Sequence, residues 1–271
     1  MQHRMSVVQN ERLARDTYRI RLAGPTLASA MRPGQFVMLR IPGTTDPLLG
    51  RPFALYDTVV EGDATTGIDV VYLVVGKMTN RLALIQPGDD LEVVGPLGNG
   101  FSSLEGKGHV ALVAGGIGQT PFLAYIRDLL GYRGYAGQPA RRRVDRVSIY
   151  YGVRSADLAA GVEDFRQAGA TVHLASDDGT LGTRGYVTEL LQSHAPPDHL
   201  VGCGPEPMLH ALASLAQHWG VSCEVSLETP MACGVGICFS CVTRVKVSDE
   251  SWDYKRVCVD GPVFDSARLQ W

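Results

Sequence analysis

The sequence predicts a β plus α/β protein in three parts: an N-terminal antiparallel β-barrel, a central parallel α/β sheet and a small C-terminal cysteine-bearing domain. Three observations predict this class. Short β-branched runs separated by turns fill the first hundred residues or so, strand-like and helix-like patterns then alternate, and a group of four cysteines lies near the C-terminus. We expect the three domains to span residues 1–101, 102–222 and 223–271.

Five short runs predict the strands of the barrel. They are rich in β-branched residues, and Gly-Pro, Pro-Gly and Pro-Gly-Asp-Asp turns separate them. Strands of this length and spacing are typical of a small antiparallel barrel. The predicted strands are Val7–Gln9, Thr17–Leu22, Gln35–Ile41, Ile68–Val75 and Asp90–Val94.

The pattern changes at His109, where strands and helices begin to alternate. This alternation predicts a parallel sheet with crossover helices. The predicted strands are Val110–Ala114, Arg146–Tyr151, Thr171–Ala175 and His199–Cys203. The helix-like patterns run up to Leu130 and over Asp157–Gln167, Val187–Ser193 and Pro207–Trp219. The Gly131–Ala140 segment, with three glycines and a proline, is expected to be a flexible loop.

The four cysteines indicate an iron–sulfur cluster. Cys233, Cys238 and Cys241 have the spacing C-x4-C-x2-C, and Cys258 follows after sixteen intervening residues, which is the plant-type [2Fe–2S] arrangement. The small residues between the first two cysteines suit a loop that turns backbone N–H groups towards sulfur. A structural zinc held by four thiolates and a disulfide network are the alternatives. Cys223 lies outside the set and is expected to be structural.

Two segments of the central part are candidates for a nucleotide site. Gly115-Gly116-Ile117-Gly118-Gln119-Thr120-Pro121 lies between a strand and a helix, where free N–H groups and a helix N-terminus face phosphate. Cys203-Gly204-Pro205 follows the last parallel strand, at the edge where open α/β sheets bind ligands. Asp177–Gly179 lies at the end of another predicted strand and is a candidate to contact the ribose or adenine of a nucleotide. Arg154 and Ser155 would suit a 2′-phosphate, so these residues leave NAD and NADP both open.

The composition excludes several classes of function. The chain has 271 residues, of which 45% are hydrophobic and 20% charged, with a net charge of −3. We therefore expect no nucleic-acid partner, and the absence of a long apolar run argues against a membrane. The N-terminus is too polar for a signal peptide, and cysteines at cluster spacing indicate a reducing compartment, so we expect a cytoplasmic protein. The Arg141–Arg143 run is expected to be a solvated loop.

The order of these segments resembles the ferredoxin–NADP reductase superfamily. More narrowly, it resembles the electron-transfer subunit family of NAD-dependent dihydroorotate dehydrogenase. Beyond the nucleotide segments and the cysteines, the stretches that carry this resemblance are Arg51–Leu55, Tyr72–Thr79, Gly95–Phe101 (G-P-L-G-N-G-F) and Tyr254–Phe264.

The resemblance implies sites for FAD, NAD(H) and a [2Fe–2S] cluster. Ala54 departs from the family pattern, which has Ser or Thr there, and Met78 replaces a glycine. Cys203 is implied to lie beside the nicotinamide and Glu228 to approach the same pocket, which makes these two the catalytic candidates. The implied cofactor-binding residues are Arg51, Pro52, Phe53, Ala54, Gly76, Thr79, Gly115, Gly116, Gly118, Thr120, Pro121, Gly204 and Pro205.

The resemblance also implies a reaction and a partner. Electrons would pass from the FMN of a dihydroorotate-oxidising catalytic subunit, through [2Fe–2S] and FAD, to NAD, within a heterotetramer that serves pyrimidine biosynthesis. The dihydroorotate site would lie on the partner. The alternatives are the small subunit of an NADH-dependent ferredoxin–NADP oxidoreductase or of a sulfide dehydrogenase, and a non-redox regulatory subunit with a structural zinc.

Overall fold

A computed structural model describes residues 1–248 and 251–271. Within them, seven strands form an antiparallel sheet in the order β4-β3-β7-β1-β2-β6-β5. The strands are β1 (Gln2–Ala14), β2 (Thr17–Ala23), β3 (Phe36–Arg40), β4 (Arg51–Ala54), β5 (Asp57–Glu61), β6 (Ala64–Leu73) and β7 (Asp90–Leu97). Two short helices accompany them, α1 (Pro25–Ala30) and α2 (Lys77–Leu82).

All five strands predicted for this part are present, and two further strands were missed. The missed strands are β4 and β5, which are only four and five residues long and lie at opposite ends of the sheet order. Pro52 lies inside β4, where a sequence pattern argues against a strand. At a sheet edge its missing N–H costs no ladder hydrogen bond, so the proline is tolerated.

A second sheet follows, and its strands are parallel from β8 to β13. Seven strands of the described chain contribute to it, in the order β11-β10-β9-β8-β12-β13-β16, where β16 is Val263–Asp265. The first six are β8 (Lys107–Gly115), β9 (Val144–Val153), β10 (Thr171–Ser176), β11 (Thr183–Arg184), β12 (His199–Cys203) and β13 (Ser222–Ser226). The helices are α3 (Phe122–Leu129), α4 (Val162–Gln167), α5 (Val187–Gln192) and α6 (Glu206–Trp219). The predicted parallel sheet is therefore confirmed.

The helix predicted over Asp157–Gln167 is wrong in its first half. The chain instead forms a 3₁₀ turn at Ala156–Leu158 and starts α4 only at Val162. Gly161 separates the two because its φ of +74° is left-handed, and a Cβ added there would lie 2.5 Å from the Tyr56 hydroxyl oxygen. Close packing against the first sheet therefore breaks the helix at this glycine.

The C-terminal part adds a hairpin and one more strand. The hairpin pairs β14 (Val242–Ser248) with β15 (Ser251–Arg256), and β16 (Val263–Asp265) joins β13 in antiparallel orientation. Strand β15 ends at Arg256, two residues before Cys258. The Val259 N–H bonds to the Arg256 carbonyl 3.1 Å away, which closes a turn that contains Cys258.

The Gly131–Ala140 segment is a loop, but it is anchored, so the expectation of flexibility is wrong. The Tyr135 hydroxyl donates to Asp57 Oδ1 at 2.7 Å, and Arg133 Nη1 donates to Asp57 Oδ2 at 2.8 Å. Arg127 of α3 pairs with the same carboxylate. Asp57 is only 3% exposed and belongs to β5, so these contacts fasten the second sheet's helix and loop to the first sheet.

The Arg141–Arg143 run is only partly solvated, contrary to expectation. Arg143 pairs with Asp128 at 3.2 Å, and both side chains are largely buried, at 10% and 12% exposure. Arg141 is mostly exposed and pairs with Glu105 at the surface. No helix of the described chain is both long and apolar enough to cross a membrane.

His199 gives the protein a predicted dependence of stability on pH. Its Nδ1 lies 2.7 Å from the Ser222 hydroxyl, and burial, reinforced by Lys107, lowers its pKa to about 4. An unfolded histidine has a pKa near 6.5, so the unfolded chain binds more protons between these values. As far as His199 is concerned, the protein is therefore most stable above pH 6.5, and its free energy of unfolding falls as the pH drops from 6.5 towards 4.

Because of this histidine, we expect the free energy of unfolding to be about 2 kcal/mol lower at pH 5 than at pH 7. Chemical unfolding measured across that range should show the loss, and His199→Gln should flatten the curve by a corresponding amount. Identical pH profiles for the two proteins would show that His199 does not contribute.

Candidate functional site

A cavity of about 590 Å³ lies between the two sheets. Its walls come from β4, the start of α2, the Gly-rich turn after β8, the end of β12 and the segment 226–231. The candidate residues on its walls are Arg51, Pro52, Phe53, Ala54, Gly76, Thr79, Thr120, Pro121, Cys203 and Glu228. The fold thus brings ten residues from separate parts of the sequence to one space.

Strand β4 presents its free edge to the cavity. It pairs with β3 on one side only, so backbone groups on its other side are available to a ligand. The Arg51 guanidinium donates to the carbonyl oxygens of Leu49 and Gly50, both at 3.0 Å, which holds it beside the preceding loop. Ala54 places a methyl group on the wall, so no hydroxyl contact is available there.

The turn before α2 is organised by Thr79. Its Oγ1 accepts hydrogen bonds from the backbone N–H groups of Val75 and Gly76, at 3.0 and 3.1 Å. The hydroxyl is therefore used inside the turn, where it caps the helix. A Cβ added at Gly76 would meet nothing within 4 Å, so this side of the turn is open to a closely approaching group. Met78 is 3% exposed and packs into the core of the first sheet.

The two nucleotide segments meet at the carboxyl edge of the parallel strands. A Cβ added at Gly118 would lie 2.3 Å from the Cys203 carbonyl oxygen and 2.7 Å from Gly204 Cα. At Gly115 it would lie 2.7 Å from Pro205 Cδ. Gly116 has a φ of +55°, in the left-handed region. Apart from Cys203, none of these residues is among those that line the cavity. The glycines allow the two backbones to touch.

If the Gly-rich turn holds NADH, as the sequence predicts, replacing Gly118 by alanine should weaken NADH binding about tenfold or more, because the methyl group forces the turn away from Cys203. The dependence of the flavin reduction rate on NADH concentration measures this affinity. Gly106→Ala is the control, since its added methyl meets nothing within 4 Å. It should lower stability slightly through its φ of +69° but leave the affinity unchanged. Equal affinity in both variants would refute the steric account.

Cys203 and Glu228, the two predicted catalytic residues, both lie on the wall of the cavity. Cys203 is 4% exposed, and burial, followed by the nearby Glu228, raises the pKa of its thiol well above the ordinary value. The thiol is thus neutral and is a hydrogen-bonding and packing group rather than a nucleophile. Glu228 faces the open cavity, but the surrounding protein raises the pKa of its carboxyl as well. Because Glu228 faces the cavity, this carboxyl can hydrogen-bond a ligand there.

The four cluster cysteines are neighbours, and their thiols stand in two pairs. Cys238 interacts with Cys233, and Cys258 with Cys241. Cys241 and Cys258 are each 2% exposed, whereas Cys238 lies at the surface. Two pairs of thiolates fit a cluster of two irons, each held by two sulfurs. As the side chains stand, no set of three or more His, Cys, Asp or Glu residues in the described chain is arranged for a metal ion.

Backbone N–H groups point at the sulfurs, as the loop composition suggested. The Val235 N–H donates to Cys233 Sγ and the Cys258 N–H to Cys241 Sγ, each at 3.4 Å. The Ser240 hydroxyl, followed by Cys233, lowers the pKa of the Cys238 thiol to about 6. This exposed cysteine is therefore mainly a thiolate at neutral pH, which is the form that binds iron.

Sequence reasoning missed several residues of the site. Phe36, Lys77, Ser226 and Pro262 all border the cavity. Ser226 lies beside Cys203, since β13 pairs with the end of β12 at these two residues. Pro262 follows the last cluster cysteine by four residues, within the Tyr254–Phe264 stretch that carries the family resemblance. Nothing in the local pattern places Phe36 at a cofactor site.

Comparison with known proteins decides the family. Residues 4–101 match the oxidoreductase FAD-binding domain, and residues 228–270 match the iron–sulfur cluster binding domain of dihydroorotate dehydrogenase B. The electron transfer subunit of dihydroorotate dehydrogenase B (NAD(+)) from Geobacillus kaustophilus is 38% identical over 98% of this chain and 97% of its own length. This chain belongs to that family. The subunit of the same description from Fusobacterium nucleatum is 33% identical, over 96% and 95% of the two chains.

Solved structures agree with the fold of this electron transfer subunit. An NADH-dependent reduced ferredoxin–NADP oxidoreductase has a TM-score of 0.82 and 28% identity, over 98% of this chain and 90% of that one. Phthalate dioxygenase reductase has a TM-score of 0.62 at 19% identity, over 100% and 96% of the chains. The subunit is thus an oxidoreductase component with the ferredoxin reductase fold.

The family match and the structure together rule out the alternatives for the cysteines. A structural zinc and a non-redox role are wrong, because residues 228–270 match an iron–sulfur domain. The disulfide network is also wrong, since all six cysteines, which lie within the described residues, are free.

Proposed function

We propose that this subunit carries electrons from the FMN of a dihydroorotate dehydrogenase catalytic subunit, through a [2Fe–2S] cluster and FAD, to NAD. One observation carries the proposal: the flavin-motif strand, both nucleotide segments and the segment leading to the cluster cysteines all border one cavity. FAD is the converter in this scheme, since it handles one or two electrons whereas NAD exchanges only a hydride.

The cavity supports FAD as its occupant. A volume of about 590 Å³ lies within the ordinary range for cofactor sites. The free edge of β4 would hydrogen-bond the flavin ring, and Arg51 and the open side of the Gly76 turn would face the phosphates. Pro52, Phe53 and Ala54 then form the apolar wall. Thr79 acts by shaping the turn.

NAD(H) would bind at the carboxyl edge of β8, β9, β10 and β12, where Gly115, Gly116, Gly118, Gly204 and Pro205 meet. The surroundings favour NAD over NADP. Ser155 Oγ donates to Asp157 Oδ1 at 2.5 Å, and the carboxylates of Asp177 and Asp178 follow β10 nearby. Asp157 is itself paired with Arg15 at 2.8 Å, so the charges that would repel a 2′-phosphate are those of Asp177 and Asp178. Thr120 and Pro121 would line the space between the two ring systems.

Cys203 and Glu228 are the proposed catalytic residues. The neutral Cys203 thiol would pack against the nicotinamide ring and keep water from it. Glu228, on the wall of the cavity, would accept a hydrogen bond from the NH2 of the carboxamide and hold the ring in place. Both residues act by orienting the nicotinamide over the flavin.

The cysteine loop supplies the surface for the catalytic subunit. Apolar side chains surround the exposed Cys238: Ile237 is 79% exposed, Phe239 61%, and Val235 and Val259 44% each. Exposed apolar residues grouped in this way mark an interaction surface. We propose that an FMN-containing catalytic subunit covers them in a heterotetramer, which brings its flavin close to the cluster.

We also propose the domain boundaries 1–101, 102–222 and 223–271, with the antiparallel sheet as the FAD-binding barrel and the tail as the cluster domain. The family matches at 4–101 and 228–270 support them. A reducing cytoplasm would suit the six free cysteines.

Activity assays on the purified, cofactor-loaded chain test this function. Alone, it should reduce an artificial dye with NADH but should not oxidise dihydroorotate. Addition of the catalytic subunit should produce dihydroorotate-dependent NAD reduction. Dihydroorotate oxidation by the isolated chain would contradict the proposal.

The structural likeness to an NADH-dependent ferredoxin–NADP oxidoreductase supports a second candidate, a small subunit of such an enzyme. If the catalytic subunit has no effect but reduced ferredoxin drives NAD reduction through the chain, this second function is the correct one.

A further inference from the structure

The turn at the end of β7 is tied to the chain that follows the last cluster cysteine. The Asn99 N–H donates to the Gly261 carbonyl at 2.7 Å. The Asn99 side chain donates through Nδ2 to the Val263 carbonyl at 2.8 Å and accepts through Oδ1 from the Val263 N–H at 3.2 Å. The amide therefore pairs with Val263 at both of its backbone groups, as a neighbouring strand would.

Gly98 lies at the junction between the turn at the end of β7 and the 261–263 segment, where the two backbones pack closely. Its φ is +79°, and an added Cβ would lie 2.5 Å from Pro262 Cδ and 3.1 Å from Phe36 Cε1. No side chain fits between the turn and Pro262. Gly98 and Asn99 together hold the 261–263 segment directly against the end of the first sheet.

This junction lies between the cavity and the cluster cysteines. Phe36 and Pro262 both border the cavity. Phe36 also packs in one buried group with Cys241 and Cys258. A second tie, from the Leu227 N–H to the Pro262 carbonyl at 2.9 Å, fastens the same segment to the wall of the cavity. The position of the 261–263 segment therefore fixes how far the cluster cysteines stand from the cavity.

We propose that Gly98 and Asn99 are positioning residues that set the distance for electron transfer between the flavin in the cavity and the [2Fe–2S] cluster. This inference rests on the proposed function. Loss of the two side-chain hydrogen bonds of Asn99 should raise the undocked fraction of the 261–263 segment about tenfold, since each bond contributes a several-fold factor. In the undocked molecules electrons would reach the cluster more slowly, while the reaction of NADH with the flavin is unchanged.

The chain offers a matched control for Gly98. Gly100 has nearly the same φ, +78°, and an added Cβ there would lie 2.8 Å from the Pro33 carbonyl oxygen, inside the first domain. Gly98→Ala and Gly100→Ala thus carry similar backbone strain, but only the first pushes against the 261–263 segment. Asn99 is solvent-exposed, so Asn99→Ala disturbs the fold least.

Stopped-flow mixing of the loaded full chain with NADH tests the proposal. NADH becomes NAD as it gives a hydride, with two electrons, to the flavin; one electron is accepted by the cluster and the other stays on the flavin. Flavin absorbance follows the first step, and freeze-quenched electron paramagnetic resonance follows reduction of the cluster. In Gly98→Ala, whose methyl group displaces the docked segment itself, flavin reduction should stay within about twofold of the parent and cluster reduction should slow by more than that. Asn99→Ala should separate the two rates only in so far as its segment undocks, which hydrogen exchange reports. In Gly100→Ala, cluster reduction should not slow relative to flavin reduction.

Hydrogen exchange gives a second readout that does not depend on activity. The Val263 amide should exchange about tenfold faster in Asn99→Ala than in the parent. Parent-like cluster reduction together with parent-like exchange in Asn99→Ala would overturn the inference, as would an equal slowing in Gly100→Ala. If NADH reduces neither centre in the parent, the proposed function itself fails, so the two failures are distinguishable.

Discussion

Replacing Asp57 by alanine is expected to lower the free energy of unfolding by about 3 kcal/mol, and thereby the melting temperature by roughly 6–12 °C. Asp57 is 3% exposed and accepts hydrogen bonds from Arg127, Arg133 and Tyr135. Removing the carboxylate leaves two guanidinium groups and a buried hydroxyl without their partner. The two arginine side chains are each about one-quarter exposed. Solvent screening therefore makes the expected loss of stability smaller than for a fully buried ion pair.

The Glu163→Ala variant is the control for this substitution. Glu163 also pairs with an arginine, Arg166, but both side chains are more than half exposed. Its loss should cost no more than about 0.5 kcal/mol. Thermal unfolding of the two variants and the parent measures the contrast. Equal losses in both would show that the Asp57 contacts do not fasten the two sheets together.

Replacing Cys258 by serine is expected to remove the iron–sulfur absorption and electron paramagnetic resonance signal and to reduce coupled dihydroorotate–NAD activity to background. Cys258 is 2% exposed and its thiol contacts that of Cys241, so a serine leaves one iron without its second thiolate. The cavity residues are unaffected, so NADH should still reduce the flavin. The visible spectrum before and after NADH addition separates the two effects.

Cys223→Ser is the matched control. Cys223 is also buried, at 4% exposed, but it belongs to β13 and lies apart from the four cluster cysteines. The substitution should cost about 1 kcal/mol of stability and leave the cluster signal intact. Loss of the cluster in Cys223→Ser, or its retention in Cys258→Ser, would contradict the assignment of the ligands.

The sequence predicts the three-part order and the chemistry of the segments because both depend on short patterns. Cysteine spacing, glycine turns after strands and alternation of strands with helices are local features, and the structure places each of them accordingly. The strongest predictions concern Cys233, Cys238, Cys241 and Cys258, because cluster geometry fixes the number and spacing of their ligands.

What the sequence did not predict depends on contacts between distant segments. The break at Gly161 is caused by Tyr56, and the anchoring of the Gly131–Ala140 loop by Asp57, each far away in the chain. The three glycines of that loop suggested that it is flexible, whereas in the structure they only allow tight turns. The role of the Gly98–Asn99 turn was hidden for the same reason, since its partners lie more than 150 residues away.

The most direct test of the central claim, that one cavity couples NADH to the flavin and the cluster, is an anaerobic titration of the purified chain with NADH. Absorbance follows the flavin, and electron paramagnetic resonance follows the cluster. We predict that NADH bleaches the flavin and that a [2Fe–2S] signal appears in the same protein, without any partner. Flavin bleaching with no cluster signal, or no response of either centre, would contradict the claim.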